Sequence, residues 1–328
     1  MKKTYLSGVR ASGRLHVGNL LGAVRRFVEF QNEPDARCLY FIADYHALTT
    51  GDGGDVARHW LDIATDFLAA GIDPARSSIY LQSSVPAIAE LSLLLSMLQP
   101  LNEILATPTF KEKAKGEGVG LGLVTYPVLM AADILGVGAT HVPVGKDQTP
   151  HIELARILAK RINRQAKTAL VPLPTAISDD VLVPGLAGGK MGKSEGTRAV
   201  PLSATRQEVS TLYGRHAVTD AARVRRGDPG DPDRCVAVFP MYRLIADEAT
   251  QASVATFCRS GLRECAGCKA EIAARLSDIL EPFQERRASF ERDPDYVRDV
   301  MREGARAVSP AIEATVAAVR DAFQLLRL

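Results

Sequence analysis

Short apolar runs alternate with helical patterns through the first two-thirds of the chain. An unbroken apolar run is typical of a buried strand, whereas apolar residues three or four positions apart indicate one face of a helix. Strands are predicted at residues 4–9, 37–44, 78–82 and 141–144, and helices at 20–31, 60–67, 86–97, 124–135 and 149–163. Strands that alternate with helices form a parallel sheet, so we expect a doubly wound, Rossmann-like α/β fold.

Helical patterns alone follow a glycine-rich segment at residues 184–196. These helices are predicted at 204–212, 248–258, 269–284, 295–308 and 309–326. A chain of 328 residues has room for about two domains. We expect an α/β domain at residues 1–195 and a smaller, all-helical region at 196–328, whose last helix packs back on the first domain.

Composition mainly excludes other classes of protein. Lys and Arg total 40 against 38 Asp and Glu, and 46% of residues are hydrophobic, which excludes a disordered, collagen-like or coiled-coil chain. No run approaches the roughly 18 apolar residues of a membrane span, and Arg10 precedes any signal-like apolar segment. We expect a cytoplasmic protein with no membrane association and no DNA partner, in which any other nucleic-acid contact depends on a local patch.

Residues 12–19, SGRLHVGN, join the first predicted strand to the first helix. Gly13 and Gly18 let a ligand approach the backbone closely, and the amides that open a helix favour an anion. His16 and Asn19 are three residues apart, so both can face one bound group. The segment suits the phosphates and base of a nucleotide, although an ordinary surface turn shares the pattern.

A second candidate segment, KMGKS, lies about 170 residues further on, at residues 190–194. Its two lysines are flanked by glycines, so the loop can open and close over a ligand. Their ammonium groups can neutralise charge that develops on a departing pyrophosphate. The alternative is a solvated basic loop.

Four of the five cysteines follow the glycine-rich segment with the spacing C-x22-C-x6-C-x2-C, at Cys235, Cys258, Cys265 and Cys268. Four thiolates suit either tetrahedral Zn²⁺ or a [4Fe–4S] cluster, and the spacing does not choose between them. Four separate buried thiols are the alternative. Cys38 lies in an apolar strand and is interpreted as a core residue.

The two loop segments together resemble the HIGH and KMSKS signatures of class I aminoacyl-tRNA synthetases. The stretches SGVRASGRLHVGN, FIADYHALT, TYPVLMAADIL and VPVGKDQTPHIELAR are similar to the tryptophanyl-tRNA synthetase family over essentially the whole chain. The resemblance implies a two-step reaction. The carboxylate of tryptophan attacks the α-phosphate of ATP, with Mg²⁺ on the phosphates, and gives tryptophanyl-adenylate and pyrophosphate. The tryptophanyl group then moves to the terminal ribose of tRNA(Trp).

The resemblance also assigns residues to roles. The catalytic residues would be His16, Asn19, Lys190 and Lys193. The ATP-binding residues would be Arg10, Ser12, Gly13, His16, Gly18, Asn19, Lys113, Gly145, Asp147, Lys190, Met191, Gly192, Lys193 and Ser194. The tryptophan-binding residues would be Gly8, Tyr126, Met130, Asp133, Val142, Val144 and Gln148, with Asp133 accepting the indole N–H. The chain departs from the family pattern at two of these positions: Gly192 replaces the first serine of the loop signature, and Arg10 stands where many members have glutamine.

Asp133 lies inside the apolar run LMAADIL, where a carboxylate is costly unless it is partnered. A buried acceptor made for one N–H rejects ligands that lack it. The alternative is an aspartate on a helix surface. His46 could line the same pocket, but we favour a satisfied core histidine.

The resemblance extends to a bacterial subgroup that shares both the cysteine spacing and ARVRRGDPGDP, and that carries a [4Fe–4S] cluster beside its anticodon-binding helices. It therefore favours a structural cluster at the four cysteines, with Zn²⁺ as the alternative. Arg223, Arg225 and Arg226 would contact tRNA phosphates or unpaired bases, unless they form a solvated loop. The family also implies a homodimer.

The chemistry of the residues alone leaves three other functions open. A tyrosine-specific relative could use the same aspartate acceptor, and a non-catalytic paralogue could bind tRNA or another protein. A small-molecule nucleotidyltransferase would share the first turn, but it would not need the lysine loop followed by a helical, cysteine-bearing region.

Overall fold

The computed structural model describes residues 2–49, 53–107, 110–111, 114, 120–178, 181–192, 199–225 and 227–325, with backbone alone at 53–55. Four residues that the sequence assigns to sites lie outside these ranges: Lys113, Lys193, Ser194 and Arg226. No helix in the described ranges combines the length and the apolar character needed to cross a membrane.

The described residues contain a parallel five-stranded sheet in the order β3-β2-β1-β4-β5. Its strands are β1 Thr4–Arg10, β2 Arg37–Ala43, β3 Ser77–Leu81, β4 His141–Pro143 and β5 Thr175–Ile177. The doubly wound, Rossmann-like α/β prediction is therefore confirmed. The chain builds outward from β1 through β2 to β3, and then returns to the other side of β1. This reversal of strand order between β1 and β4 opens a crevice at the carboxyl ends of the strands, where such sheets bind ligands.

The helices connect the strands and then form the last third of the chain. They are α1 Val17–Asn19, α2 Arg25–Gln31, α3 Asp44–Ala47, α4 Gly53–Ala69, α5 Ala87–Ser96, α6 Leu101–Leu105, α7 Leu121–Gly136, α8 Thr149–Ala166, α9 Arg206–His216, α10 Val238–Ile245, α11 Glu248–Arg259, α12 Cys265–Glu291 and α13 Pro294–Ala322. A π-helical segment, Leu20–Val24, joins α1 to α2. Short 3-10 turns lie at Gln82–Ser84, Lys146–Gln148 and Pro232–Arg234.

Strand β2 is buried on both faces, as its apolar sequence predicts. On one face, Tyr40 stacks on Phe27 with ring centroids 4.4 Å apart, and its hydroxyl donates to the Phe27 carbonyl at 2.7 Å. On the other face, Leu39 and Phe41 join a core that includes α5, α7 and α8. Two helical layers therefore enclose the sheet and hold its strand ends rigidly around the crevice.

The last helix corrects a sequence prediction. Residues 294–322 form one helix, not two that meet at residue 309. Pro310 lacks the N–H of the helical ladder, which normally ends or kinks a helix. A buried stripe that includes Val297, Met301, Val308 and Ile312 continues past this proline, so tertiary packing outweighs the local break.

Helix α13 packs directly on the α/β domain. A Cβ atom added at Gly304 would lie 1.9 Å from the carbonyl oxygen of Ile79 in β3, so only glycine allows this approach. The end of the helical region is thus in contact with the sheet, while the division near residue 195 stays a prediction.

Helix α12 is joined to α4 by a buried ion pair. Arg287 donates to Asp66 at 2.7 Å and to Asp62 at 3.0 Å, and Asp62 also accepts from Arg14 of the first turn at 3.2 Å. Asp66 is 4% exposed. Burial raises the pKa of Asp66 to about 6, although Arg287 opposes the rise.

The raised pKa of Asp66 predicts how the stability of the folded chain depends on pH. Its pKa is higher in the folded chain than the ordinary value of about 3.9, so its contribution is full below that value and is lost as the pH rises towards 6. We expect the free energy of unfolding of the wild type, relative to Asp66→Asn, to fall by about 2–3 kcal/mol between pH 4 and pH 7. Urea unfolding across this range measures the difference. Parallel profiles would contradict the assignment, and Asp278→Asn is a control at an exposed ion pair.

Candidate active site

A cavity of about 460 Å³ lies at the carboxyl ends of β1 and β4, where the strand order reverses. Its lining includes residues from both predicted binding sets: Gly8, Arg10, Gly18, Asn19, Tyr126, Met130, Asp133, Val142, Val144, Gly145, Gln148, Lys190 and Met191. Residues assigned to a nucleotide and residues assigned to an amino acid therefore face one continuous space.

The first turn is held in place by its own polar groups. The backbone N–H of His16 donates to Asn19 Oδ1 at 3.0 Å, and the N–H of Val17 donates to the Val200 carbonyl at 2.9 Å. A Cβ at Gly18 would lie 2.9 Å from both the His16 ring and the Met191 Cβ atom. Glycine is thus required where the turn, the histidine and the second loop converge.

The lysine loop meets this turn although 173 residues separate them. The N–H of Gly18 donates to Met191 Sδ at 3.1 Å, and the N–H of Met191 donates to the Val183 carbonyl at 2.8 Å. Met191 is buried, whereas Lys190 is exposed at the cavity rim. The Lys190 ammonium lies 3.9 Å from the position that a Cβ atom would take at Gly145. The ammonium is therefore close to the carboxyl end of β4.

Asp133 lies at the opposite end of the cavity and is 1% exposed, which excludes the surface alternative. Gln82 Nε2 lies 2.9 Å from both carboxylate oxygens, and His46 Nε2 donates to Oδ2 at 3.1 Å. Burial raises the pKa of Asp133, while hydrogen bonds from His46 and Gln82 oppose the rise. The carboxyl group is therefore a partnered acceptor on the lining of a largely apolar cavity.

The cavity walls between these two ends are apolar and aromatic. A Cβ at Gly8 would lie 2.6 Å from the Phe41 ring, so the ring leaves no room for any side chain at this position. The Tyr126 hydroxyl lies 3.1 Å from His151 Nε2, and the Tyr126 ring packs edge-on against His46. Burial raises the pKa of Tyr126, so its hydroxyl is protonated at neutral pH.

Some predicted residues lie beside the cavity and not on its lining. Among the described residues these are Ser12, Gly13, His16, Asp147 and Gly192. Asp147 accepts from Gln148 Nε2 at 2.5 Å, which positions the glutamine that does line the cavity.

Sequence reasoning missed Gln82 and misjudged His46. His46 lines the cavity and bonds to Asp133, so it is not a core histidine remote from the site. Both residues follow the carboxyl end of a strand, β2 or β3, and that position is the signal that could have identified them. Gly22, Val181 and Val183 also line the cavity without any prediction.

The four cysteines Cys235, Cys258, Cys265 and Cys268 line one small pocket in the helical region. Arg263 Nε donates to Cys268 Sγ at 3.0 Å, and Arg223 Nη1 lies 3.9 Å from Cys265 Sγ. Across the described ranges, no three His, Cys, Asp or Glu side chains are grouped closely enough to hold a metal ion. The four thiols thus share one pocket, and two of them lie near arginine guanidinium groups, but they do not form a coordination sphere.

The basic segment before these cysteines divides into two parts. Arg223 donates to the carbonyl oxygen of Arg263 at 2.6 Å and also bonds that of Gly261, so its guanidinium is directed into the cysteine-bearing loops. Arg225 is exposed. Of the described arginines predicted to contact tRNA, Arg225 is the one that presents its side chain to solvent.

The sheet order, the crevice and the two touching signature loops define a class of nucleotide-dependent enzyme. The family model described as class I tRNA synthetases (W and Y) matches residues 2–281. The chain belongs to this family.

Relatives from individual organisms narrow the comparison to tryptophan. The tryptophan–tRNA ligase of Thermotoga maritima is 38% identical over 328 residues, which covers 98% of this chain and 99% of that one. The tryptophan–tRNA ligase of Deinococcus radiodurans is 37% identical over 315 residues, covering 93% and 94%. A crystal structure of Campylobacter jejuni tryptophanyl-tRNA synthetase, complexed with ADP and tryptophan, superposes with a TM-score of 0.85 at 30% identity, covering 98% of this chain and 100% of that one.

Proposed function

We propose that the chain is a tryptophan–tRNA ligase: the tryptophan carboxylate attacks the α-phosphate of ATP to give tryptophanyl-adenylate and pyrophosphate, and the tryptophanyl group then moves to tRNA(Trp) with release of AMP. The contact between Gly18 and Met191 is the observation that carries the proposal, because it places both signature loops at one cavity. The whole-length similarity to tryptophan–tRNA ligases supports it.

At the nucleotide end, the substrate is ATP with its Mg²⁺. The first turn brings Gly18 and Asn19 to the cavity lining, where a glycine lets the phosphates approach the backbone, and Arg10 adds a guanidinium on the same lining. Lys190, at the cavity rim, would neutralise charge on the leaving pyrophosphate, and the KMGKS sequence assigns the same role to Lys193 and Ser194, which lie outside the described residues. The protein supplies position and charge, since an in-line displacement at phosphorus needs little covalent help.

At the amino-acid end, the cavity suits an indole with its amino group towards Tyr126 and Gln148. Met130, Val142 and Val144 supply apolar walls, and Asp133 accepts the ring N–H. A side chain without a donor at that place leaves one acceptor position of the buried carboxylate unfilled, which costs binding energy. This requirement favours tryptophan over phenylalanine and most aliphatic amino acids.

Amino-acid-dependent exchange of pyrophosphate into ATP tests the proposal, with tryptophan and tyrosine supplied separately. Exchange with tyrosine alone would indicate the tyrosine-specific relative, and exchange with neither would indicate a non-catalytic paralogue. Since exchange requires no tRNA, charging of tRNA(Trp) then tests the second step separately.

For the helical region, we propose that residues 196–328 contact the tRNA anticodon and that four cysteines hold a [4Fe–4S] cluster with a structural role. The four thiols share a pocket, and Arg263 and Arg223 point guanidinium groups at two of them, which suits a site of net negative charge. Four thiolates are the ligand type that this group takes, and bound there it would tie α11 and α12 to the loop at Cys235. Zn²⁺ is the alternative occupant.

Anaerobically purified protein is expected to show a broad absorbance band at about 400 nm and to contain iron and sulfide. Cys265→Ser should lose the band, because it removes one thiolate ligand. Cys38→Ser is the matched control, since Cys38 is buried in β2 and should leave the band unchanged. Colourless protein with one equivalent of zinc would contradict the cluster and favour the alternative.

The dimer is also a proposal, supported by an exposed apolar surface. Five large apolar residues on α5, directly after it, on α6 and at the start of α7 are between 38% and 74% exposed: Leu93, Met97, Leu101, Leu105 and Leu121. A patch of this kind favours an interface, and we assign it to a second copy of the chain.

Among the described arginines of the basic segment, Arg225 is the exposed candidate for tRNA contact. A tRNA substrate also implies a cytoplasmic location.

A further inference from the structure

Gln82 forms the most complete contact with Asp133. It follows the carboxyl end of β3, it is 0% exposed, and its Nε2 lies 2.9 Å from each carboxylate oxygen. An amide nitrogen that bridges both oxygens fixes the rotation of the carboxyl group, which His46, bonded to Oδ2 alone, cannot do.

The orientation of the Gln82 amide follows from the carboxylate. A carboxylate only accepts hydrogen bonds, so the amide must present its NH₂ group and not its oxygen. The Gln82 Oε1 atom is then buried and makes no hydrogen bond within the described residues. Burying the Gln82 Oε1 atom without a donor costs free energy. The hydrogen bond from Gln82 Nε2 to Asp133 offsets that cost.

An ionised carboxylate has about four acceptor positions. Gln82 occupies two of them and His46 occupies a third. Because Asp133 also lines the cavity, the acceptor position left over can be offered to a ligand there. A fixed carboxylate with one acceptor position left is selective for a single donor in a single place.

We propose that Gln82 is a positioning residue that determines specificity: it holds the Asp133 carboxylate in the orientation that accepts a ring N–H from the substrate. The proposal rests on the proposed function, since it requires Asp133 to contact the amino-acid side chain. Gln82 itself acts through Asp133 and does not line the cavity.

The test compares tryptophan with β-(3-benzothienyl)alanine, in which sulfur replaces the ring N–H, in pyrophosphate exchange. Gln82→Met keeps the size of the side chain and removes its donor. We expect kcat/KM for tryptophan to fall roughly 10–100-fold, mainly through KM, while the analogue changes little. The preference for the N–H substrate should therefore shrink by the same factor, with the KM for ATP unchanged.

A merely structural role would lower kcat/KM for both substrates equally, and that result would overturn the proposal. Gln82→Asn, which withdraws the amide by one methylene, should reduce the preference in the same direction and serves if Gln82→Met does not fold. Gln99→Met is the matched control, because Gln99 is also a buried glutamine but bonds Glu103 away from the cavity. It should leave the preference intact.

Asp133→Ala separates this inference from the proposed function, because alanine has no side-chain acceptor. If folded Asp133→Ala keeps the wild-type preference, then Asp133 is not the acceptor and the assignment in the proposed function fails. If Asp133→Ala loses the preference but Gln82→Met keeps it, the role of Gln82 alone is wrong. We expect Gln82→Met to have no further effect on the preference in the Asp133→Ala background, since the two residues act as one unit.

Discussion

Asp133→Ala is expected to lower kcat/KM for tryptophan activation by roughly 10³-fold or more, while the KM for ATP changes little. The carboxylate is buried on the cavity lining, next to His46 and Gln82. Its removal takes away the acceptor for the ring N–H and also leaves the donors of Gln82 and His46 unpaired. Steady-state pyrophosphate exchange with varied tryptophan measures the effect.

The control for this variant must detect simple loss of the fold. Thermal unfolding with and without ATP serves, because a folded variant with an intact nucleotide end still gains stability from ATP. A folded Asp133→Ala protein that activates tryptophan at the wild-type rate and selectivity would show that the acceptor lies elsewhere.

Lys190→Ala is expected to lower kcat for adenylate formation by roughly 10²–10³-fold, with the KM for tryptophan nearly unchanged. Lys190 is exposed at the cavity rim, and its ammonium lies near Gly145, so its charge can reach departing pyrophosphate. Charge stabilised mainly in the transition state affects kcat and not substrate binding. Rapid-quench measurement of adenylate formation gives the rate of this step directly.

Lys160→Ala is the matched control, since Lys160 is an exposed lysine on α8 that does not line the cavity. It should leave both parameters unchanged. Lys190→Arg keeps the charge but not the geometry and should recover part of kcat. An equal loss of kcat in Lys190→Ala and Lys160→Ala would contradict a local role for Lys190.

Much of the fold follows from sequence pattern, and the failures have physical causes. Strand β2 is predictable because burial on both faces requires an unbroken apolar run. Strand β5 is not, since it has three residues and begins with an exposed threonine. The proline in α13 is a local signal that the buried stripe on both sides of it overrides.

The site was partly predictable for a similar reason. Asp133 is conspicuous as a charge within an apolar run, and its burial follows from its neighbours. Gln82 gives no such signal, because its role comes from the pairing of β2 with β3, which brings it beside a residue 51 positions away. Likewise, the pattern of the basic segment does not reveal that Arg223 turns inward while Arg225 is exposed.

Tryptophan-dependent pyrophosphate exchange is the measurement that tests the central claim most directly. The protein should exchange labelled pyrophosphate into ATP when tryptophan is present, without tRNA, and tyrosine at the same concentration should support far less exchange. The activity should disappear in Asp133→Ala and decline strongly in Lys190→Ala. No exchange with tryptophan, or faster exchange with tyrosine, would contradict the assignment of this chain as a tryptophan–tRNA ligase.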